Sequence, residues 1–263
     1  MFNFLYVLPD FAISAMFGLL MLFLVAILPH FLNHVFKIKH DKDSTKYAIR
    51  GQATVITFIA IVLSFCLINA QGNLRDVDAQ VSQEATAINQ MDRLLLRYGD
   101  KKVMEMRTLL MAYAESIVNK EWPLLIQGGH SELKYKSSPT FAPLSRAIFT
   151  INPSLGRQTE IYNQILKQID LLSEERSQRI QAASVRLPNI FWEIVFVLFL
   201  LLVSLSLMIK PTVGRSIAIG GQGLAVALLL SLVVIYDQPF KGQTSVKSDA
   251  FINVIEIMKN RHF

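Results

Sequence analysis

The sequence is poor in the residues that usually build catalytic and metal sites. It has one cysteine and five scattered histidines in 263 residues, so an intramolecular disulfide is impossible and a metal cluster is hard to assemble. It has no His-Glu-x-x-His, paired-cysteine, Walker or Gly-x-Ser-x-Gly motif, the motifs that mark several large enzyme classes. We therefore predict that the protein is not an enzyme, has no metal site and has no cofactor.

Charged residues are also scarce, and long apolar segments take their place. Charged side chains make up 17% of the chain and hydrophobic ones 52%, with a mean hydropathy of +0.39, whereas about 25% charged residues is typical of soluble domains. A bilayer core needs roughly 20 apolar residues in a helix. Four segments are therefore predicted to span a membrane: Phe4–Phe36, Tyr47–Ala70, Leu187–Ile209 and Ile217–Tyr236.

The polar stretch between the two apolar pairs has a helical pattern. Apolar residues recur there every seven positions, which predicts a packed helix: Leu74, Val81, Ile88 and Leu95. The predicted fold class is all-α, a polytopic membrane protein with four transmembrane helices in two hairpins and an inserted helical extramembrane domain. The predicted boundaries are 1–71 and 187–237 for the hairpins, 72–186 for the helical domain, and 238–263 for a tail with a short amphipathic helix.

Proline is predicted to interrupt the helices of the extramembrane domain. Pro123 biases the preceding residue, Trp122, away from the helical conformation, so one helix is predicted to end there. The next predictions along the chain are a polar loop over Lys134–Pro143 and a long helix from Ser154 or Gln158 to Arg186.

Basic residues in the short loops predict the orientation in the membrane. The first loop contains Lys37, Lys39, Lys42, Lys46 and Arg50, and the loop after the third segment contains Lys210 and Arg215. By the positive-inside rule both loops prefer the cytoplasm, which puts the helical domain outside it. The net charge of +6 then reflects topology and anionic lipid headgroups, and we predict no nucleic-acid partner.

A stripe of side chains along the second apolar segment is a candidate pore lining. Its members share one helix face: Thr54, Phe58, Ile61, Phe65, Ile68 and Asn69. The stripe is aromatic and aliphatic in its middle and polar at its ends. A narrow apolar ring of this kind gates ion flow by dewetting; the alternative interpretation is ordinary helix packing.

Two carboxylates and two histidines lie at unusual positions. Glu84 takes a place where the apolar seam expects a hydrophobic residue, so it needs either a domain arginine as partner or contact with water. Asp10, near the start of the first segment, lies either at headgroup depth or deeper as a functional group. His30 and His34 share a helix face and could ligate a metal or haem, but the other three apolar segments have no histidine.

Several short motifs together resemble those of the bestrophin-like family of bacterial membrane proteins, over about residues 50 to 255. The residues that carry the resemblance are Glu84 with Ala85, Glu121-Trp122-Pro123, Arg176 and Arg179, Leu187-Pro188 with Trp192, and Asp237, Pro239, Phe240 and Gly242. The resemblance implies four transmembrane helices around an inserted helical domain, in the bacterial inner membrane.

The family is similar in turn to the bestrophins, which are pentameric, chloride-permeable channels. Their pore is lined by the second helix and has an aromatic and aliphatic neck, which Phe58, Ile61 and Phe65 resemble. The chain departs from bestrophins after Gly242, where it reads Gln-Thr-Ser-Val-Lys and has no acidic calcium clasp, so calcium gating is not expected. Bestrophins hold their soluble domain in the cytosol, opposite to the side that the loop charges predict here.

Three functional hypotheses follow from these observations. The first is a homo-oligomeric ion channel, anion-permeable and pentameric if bestrophin-like, whose partners are the lipid bilayer and inorganic ions. The second is a non-conducting membrane sensor or scaffold whose helical domain binds a ligand or protein. The third is a proton-coupled transporter that uses Asp10 or Glu84 as its carboxylate.

Overall fold

The computed structural model describes residues 5–36, 41–135, 138–154 and 156–261, and these residues form helices and connecting turns without any strand. This confirms the predicted all-α fold class. The α-helices of the described residues are α1 (Asp10–Leu22), α2 (Leu28–Phe36), α3 (Lys42–Tyr98), α4 (Lys101–Ser116), α5 (Trp122–Gln127), α6 (His130–Tyr135), α7 (Phe141–Phe149), α8 (Arg157–Ala182), α9 (Asn189–Met208), α10 (Val213–Tyr236) and α11 (Asp249–Asn260).

Four helical stretches are long and apolar enough to cross a membrane, as predicted: Asp10–Phe36, Lys42–Tyr98, Asn189–Met208 and Val213–Tyr236. The first joins α1 to α2 through a π-helical turn at Phe23–Ile27. The second, α3, has 57 residues and is about 85 Å long at 1.5 Å per residue. Its apolar part, Tyr47–Ala70, is by itself long enough to span a bilayer core of about 30 Å. Phe4 of the first predicted segment and Lys37 and Lys39 of the first basic loop lie outside the described residues.

The chain divides into two compact units. The first, which we call the apolar-helix unit, comprises the described parts of Met1–Gly72 and Arg186–Thr244. The second, which we call the helical-domain unit, comprises the described parts of Asn73–Val185 and Ser245–Phe263. Helix α3 therefore contributes residues to both units. The C-terminal tail is divided between them, because its residues up to Thr244 belong to the first and α11 belongs to the second.

Small side chains and a few hydrogen bonds join the helices of the apolar-helix unit. Helix α1 packs along α10, where a Cβ added at Gly220 would lie 3.2 Å from Leu22 and 3.4 Å from Ala26. Two polar contacts cross between helices, Gln52 to Ser206 at 3.1 Å and Ser231 to Ser14 at 3.0 Å. Close approach through small residues and interhelical hydrogen bonds are what hold helices together where the hydrophobic effect is weak.

The helical-domain unit has its core along α3 and α8. The apolar seam of α3 is buried, including Val77, Val81, Ile88, Met91 and Leu95. One face of α8 is buried as well and carries Ile161, Ile165, Ile169 and Leu172. Both helices thus bury the faces that their helical spacing predicts.

The predicted helix end at Trp122 is wrong. Trp122 has helical backbone angles (φ −61°, ψ −49°), and the chain runs from α4 through a π-helical turn at Ile117–Glu121 directly into α5. Pro123 occupies the first turn of α5, where a missing N–H is tolerated. The wider π-helical turn removes the clash with the preceding turn that a proline causes in a regular α-helix.

The predicted loop over Lys134–Pro143 is helical at both of its ends. Helix α6 reaches Tyr135, and α7 begins at Phe141, whose N–H donates to the Ser138 hydroxyl at 3.2 Å. Pro143 lies in the first turn of α7, where a missing N–H is tolerated. The predicted helix ending at Arg186 ends four residues earlier, at Ala182.

The contact of α1 with α10 predicts a difference between two adjacent glycines. Gly220→Leu would force a large side chain against Leu22 and Ala26, whereas no atom lies within 4 Å of the Cβ position of Gly221. Overpacking a helix contact costs about 1–3 kcal/mol, so Gly220→Leu should lower the thermal unfolding midpoint in detergent and Gly221→Leu should not. Equal effects of the two variants would contradict this account of the packing.

Candidate functional site

The motif residues of the helical-domain unit meet in a group of buried polar side chains, which we call the buried ionic cluster. It consists of Glu84 from α3, Tyr113 from α4, Glu121 from the π-helical turn, and Arg176 and Arg179 from α8. Glu84, Tyr113 and Arg179 are fully buried and Glu121 is 4% exposed. The cluster therefore joins three long segments at one buried point.

Helical spacing explains why the two central charges are buried. Glu84 lies seven residues after Val77 and seven before Met91, and Arg179 lies seven residues after Leu172. Val77, Met91 and Leu172 are all buried. Because residues seven apart lie on the same face of a helix, each charge takes the next place along an apolar face that packs into the core.

Arg179 connects the two carboxylates of the cluster. Its Nε donates to Glu84 Oε2 at 2.6 Å, and its Nη2 donates to Glu84 Oε1 at 3.3 Å and to Glu121 Oε2 at 2.7 Å. Glu121 Oε1 accepts from Arg176 at 3.0 Å, and Glu84 Oε1 accepts from the Tyr113 hydroxyl at 2.6 Å. All four carboxylate oxygens are therefore hydrogen-bonded, which is what buried charges require.

The two carboxylates and the two guanidinium groups of the cluster balance in charge. Burial acts to raise the pKa of Glu121, but Arg179 and Arg176 outweigh it and bring the pKa of that carboxyl below its ordinary value. Burial acts to lower the pKa of Arg179, and Glu84 and Glu121 outweigh it and raise that pKa. Burial and the adjacent Glu84 raise the pKa of Tyr113 well above its usual value. Tyr113 thus remains a neutral donor between two carboxylates and two guanidinium groups.

Aromatic rings close the cluster on one side. The guanidinium carbon of Arg179 lies 5.8 Å from the centre of the Phe251 ring on α11, within the range of a cation–π contact. Phe251 also packs edge-on to Trp122 at 6.0 Å between ring centres. The tail helix α11 thereby covers the charged residues, which links the Glu-Trp-Pro motif to the C-terminal segment.

Glu175 is a further carboxyl near this cluster that the pairing does not include. Its side chain is buried, at 5% exposure, and its Oε2 has no hydrogen-bond partner among the described residues. Burial raises the pKa of Glu175, and the neighbouring carboxylates Glu174 and Glu84 raise it further. The surroundings of Glu175 therefore oppose its ionisation.

A further buried carboxylate, Asp92, was missed by the sequence reasoning. Asp92, fully buried on α3, accepts from Arg107 Nε at 2.6 Å and from Arg261 Nη1 at 2.5 Å. Arg107 also donates to the backbone carbonyl of Met258 in α11 at 3.2 Å. Asp92 directly follows Met91 of the apolar seam, but Arg107 and Arg261 lie at ordinary surface spacings, so the sequence has no signal that joins them.

The motif residues of the apolar-helix unit form a separate structural group. Pro188 caps α9, and the preceding Leu187 N–H donates to Asp237 Oδ1 at 2.8 Å, which ties the start of α9 to the end of α10. Burial raises the pKa of Asp237 against the opposing effects of the Leu187 N–H and of Arg186. The turn that follows Asp237 buries Pro239 and Phe240.

The other motif residues of this unit, Gly242 and Trp192, have structural roles. Gly242 has φ +89°, a backbone angle that other residues rarely adopt, and a Cβ there would lie 3.5 Å from the Tyr6 ring. Trp192 packs edge-on to the neighbouring Phe191 at 5.1 Å. These motif residues therefore shape the ends of α9 and α10.

The predicted pore-lining residues from Thr54 to Asn69 lie on α3, and we call them the α3 stripe; all of them point away from the protein core. Phe58, Ile61, Phe65 and Ile68 are 49–65% exposed, and Thr54 and Asn69 are exposed as well. The opposite face of the same helix is buried through Val55, Ile59 and Leu63, which pack in a cluster with residues of α9 and α10. In the single chain, one face of α3 is thus packed and the stripe is open.

Asp10 contacts the segment that follows α10. Its Oδ2 accepts from the Thr244 hydroxyl, and its backbone N–H donates to Gln243 Oε1 at 3.4 Å. Its Oδ1 is buried without a partner among the described residues. No group of three or more His, Cys, Asp or Glu side chains within the described ranges is placed to hold a metal ion.

The fold and these clusters define the class as an all-helical membrane protein with four apolar membrane-length helices and a helical domain that contains a buried ionic cluster. A family model of the bestrophin-like domain matches residues 20–251. The chain belongs to the bestrophin-like family. No curated protein matched the chain by sequence.

Solved structures confirm the fold. A bacterial bestrophin homologue from Klebsiella pneumoniae is similar with a TM-score of 0.67 and 16% identity, over 95% of this chain and 99% of that one. A single-substitution variant of a Klebsiella pneumoniae homologue has a TM-score of 0.66 and 15% identity, over 94% of this chain and 99% of that one. A variant of a membrane protein has a TM-score of 0.66 and 15% identity with the same coverage. At such identities the likeness establishes the fold.

Removing the central guanidinium should destabilise the helical-domain unit strongly. Arg179→Met leaves Glu84 and part of Glu121 buried without a counter-charge, which typically costs about 3–5 kcal/mol. Lys259→Gln is the control, because the Lys259–Glu115 pair is exposed on both sides and such pairs contribute less than about 1 kcal/mol. The free energy of unfolding of each variant is measured by denaturant titration followed by circular dichroism.

A triple variant separates the missing charge from lost packing. Glu84→Gln, Glu121→Gln and Arg179→Met together remove the buried carboxylates with the guanidinium, so this protein should be more stable than Arg179→Met alone. If the triple variant is less stable than the single one, uncompensated charge is not the cause of the loss.

Glu175 should limit stability at neutral pH. Because its pKa is raised in the folded state, the unfolded chain loses this proton first as pH rises, and stability falls between the ordinary pKa and the raised one. Glu175→Gln should therefore raise the unfolding midpoint at pH 7, and this gain should vanish as pH falls below the ordinary value of 4.5. Glu256→Gln, at an exposed position on α11, is the control, and a gain that persists at low pH would contradict the explanation.

Proposed function

We propose that the protein is a homo-oligomeric, anion-permeable ion channel of the bacterial inner membrane, with α3 lining the pore. Membership of the bestrophin-like family and the shared fold support ion-channel function in general. The choice of helix and of ion rests on residues of this chain, as follows.

The two-sided character of α3 is the observation that carries the proposal. One face packs into the core through Ile59 and Leu63, while Phe58, Ile61 and Phe65 of the opposite face remain open in the single chain. A ring of such helices around an axis would place these aromatic and aliphatic side chains at a narrow neck. A constriction of this type controls ion passage by excluding water when it is narrow, and the polar Thr54 and Asn69 at its ends would hold hydrated ions.

Basic residues beyond the ends of the stripe favour anions. Lys46 and Arg50 precede the stripe on α3, and Arg75 follows it, all with exposed side chains. Positive groups near a pore entrance raise the local concentration of anions and repel cations. Lys46 and Arg50 also belong to the first short loop. By the positive-inside rule, the basic residues of the short loops put the helical domain outside the cytoplasm in this proposal. A pentamer is the assembly expected if the subunits associate as in bestrophins.

Flux from liposomes with purified protein tests the proposal. Chloride and potassium gradients are applied separately to the wild type, to Phe65→Ala and to Phe196→Ala. Phe65→Ala should increase chloride flux, because a smaller side chain widens the neck and lets water enter. Phe196 is the matched control, since it is an equally exposed phenylalanine (63% against 65%) on another apolar helix, α9, and its loss should leave flux unchanged.

Other outcomes distinguish the rival functions. Potassium-selective current would overturn the anion choice, and equal effects of the two phenylalanine variants would overturn the pore helix. Flux that follows a pH gradient and is lost in Asp10→Asn or Glu84→Gln would favour proton-coupled transport. Silence under every gradient, from folded and oligomeric protein, would favour a sensor or scaffold that binds a ligand or protein.

A further inference from the structure

A groove lies between α3 and α8 in the helical-domain unit, and none of its residues belongs to the buried ionic cluster. Its volume is about 260 Å³. Its walls are Arg93, Leu94 and Arg97 from α3 and Gln164, Lys167 and Gln168 from α8. We call it the basic groove, because it is lined by three cationic side chains and by no carboxylate.

The three cations of the basic groove, Arg93, Arg97 and Lys167, make no hydrogen bond or ion pair with the described residues. The nearest acid in sequence, Asp92, is directed elsewhere and is held by Arg107 and Arg261. This contrasts with Arg107, Arg176, Arg179 and Arg261, each of which has a carboxylate partner.

This arrangement brings like charges close together. Arg93 and Arg97 are four residues apart on one helix, and like charges at that spacing destabilise a helix. Lys167 on the facing helix adds a third positive charge to the same groove. Charges of one sign that line a concave surface focus the potential there and concentrate counter-ions, so the groove is electrostatically incomplete without an anion.

We propose that the basic groove binds a small polyvalent anion that carries phosphate groups. Guanidinium groups bind phosphate oxygens through paired N–H donors, and the ammonium of a lysine adds a further charge. Gln168 supports this assignment, because its Oε1 is buried without a partner among the described residues. The amide makes no hydrogen bond within the described part of the chain, so it can turn and present its NH₂ donors to an anion.

The size of the groove limits the ligand. Pockets for drug-sized molecules begin at about 300 Å³, and 260 Å³ lies below that limit. A ligand with one or two phosphate groups fits this space, either as a free anion or as the headgroup of an anionic phospholipid. The proposal does not depend on whether the protein conducts ions.

Binding of radiolabelled pyrophosphate to the purified full chain tests the proposal. At constant ionic strength, Arg93→Gln/Arg97→Gln should weaken binding by at least about tenfold, because two sets of charge-assisted hydrogen bonds are lost. Lys101→Gln/Lys102→Gln removes the same charge from exposed positions at the start of α4 and should leave the affinity within about twofold.

A stability measurement shows that the lost binding is not lost folding. Without ligand, Arg93→Gln/Arg97→Gln should unfold at a temperature at least as high as the wild type, because the repulsion between the two arginines is removed. Pyrophosphate should raise the unfolding midpoint of the wild type and of the lysine control but not of the arginine variant.

The lipid surroundings identify the source of the phosphate. Pyrophosphate that binds equally in nanodiscs of phosphatidylglycerol and of phosphatidylcholine indicates a free anion, whereas competition by phosphatidylglycerol indicates a lipid headgroup. The proposal is overturned if pyrophosphate does not bind saturably and anionic lipid gives no stabilisation that depends on Arg93 and Arg97. It is also overturned if the arginine and lysine variants lose binding equally.

Discussion

The helical-domain unit depends on one buried guanidinium. Arg179 reaches two carboxylates, Glu84 and Glu121, which come from segments 95 and 58 residues away along the chain. A buried charge without its partner costs more than almost any single apolar contact contributes. The three segments must therefore meet in one register, because a shift of either α3 or α8 along its axis would separate the charges while leaving the apolar faces in contact.

The unit uses its arginines in two different ways. Those that contact Glu84, Asp92 or Glu121 are paired with carboxylates inside the protein and connect α3 and α4 with α8 and the tail region. Those of the basic groove are exposed and unpaired among the described residues. Since paired charges stabilise a fold and unpaired ones of like sign do not, the first group serves the structure and the second points to a ligand.

The apolar-helix unit follows another physical rule. Its helices are apolar nearly all round, so the hydrophobic effect does not select which faces meet once the surroundings are lipid. Close contact at Gly220 and the Gln52–Ser206 hydrogen bond make that choice. The faces that remain open, including Phe58 and Phe65 of the α3 stripe, are the ones available to lipid, to a pore or to neighbouring subunits.

Sequence by itself determined the four membrane-length helices and the buried faces of α3 and α8, because apolar length and helical spacing are local properties. It also showed that Glu84 needs either a partner or contact with water, since a charge in an apolar seam cannot be buried alone. Only the tertiary structure decided that the partner is Arg179, that Asp92 binds Arg107 and Arg261, and that Pro123 continues a helix. Those outcomes depend on which distant side chains meet and on how a π-helical turn relieves a clash, and neither follows from residue spacing along the chain.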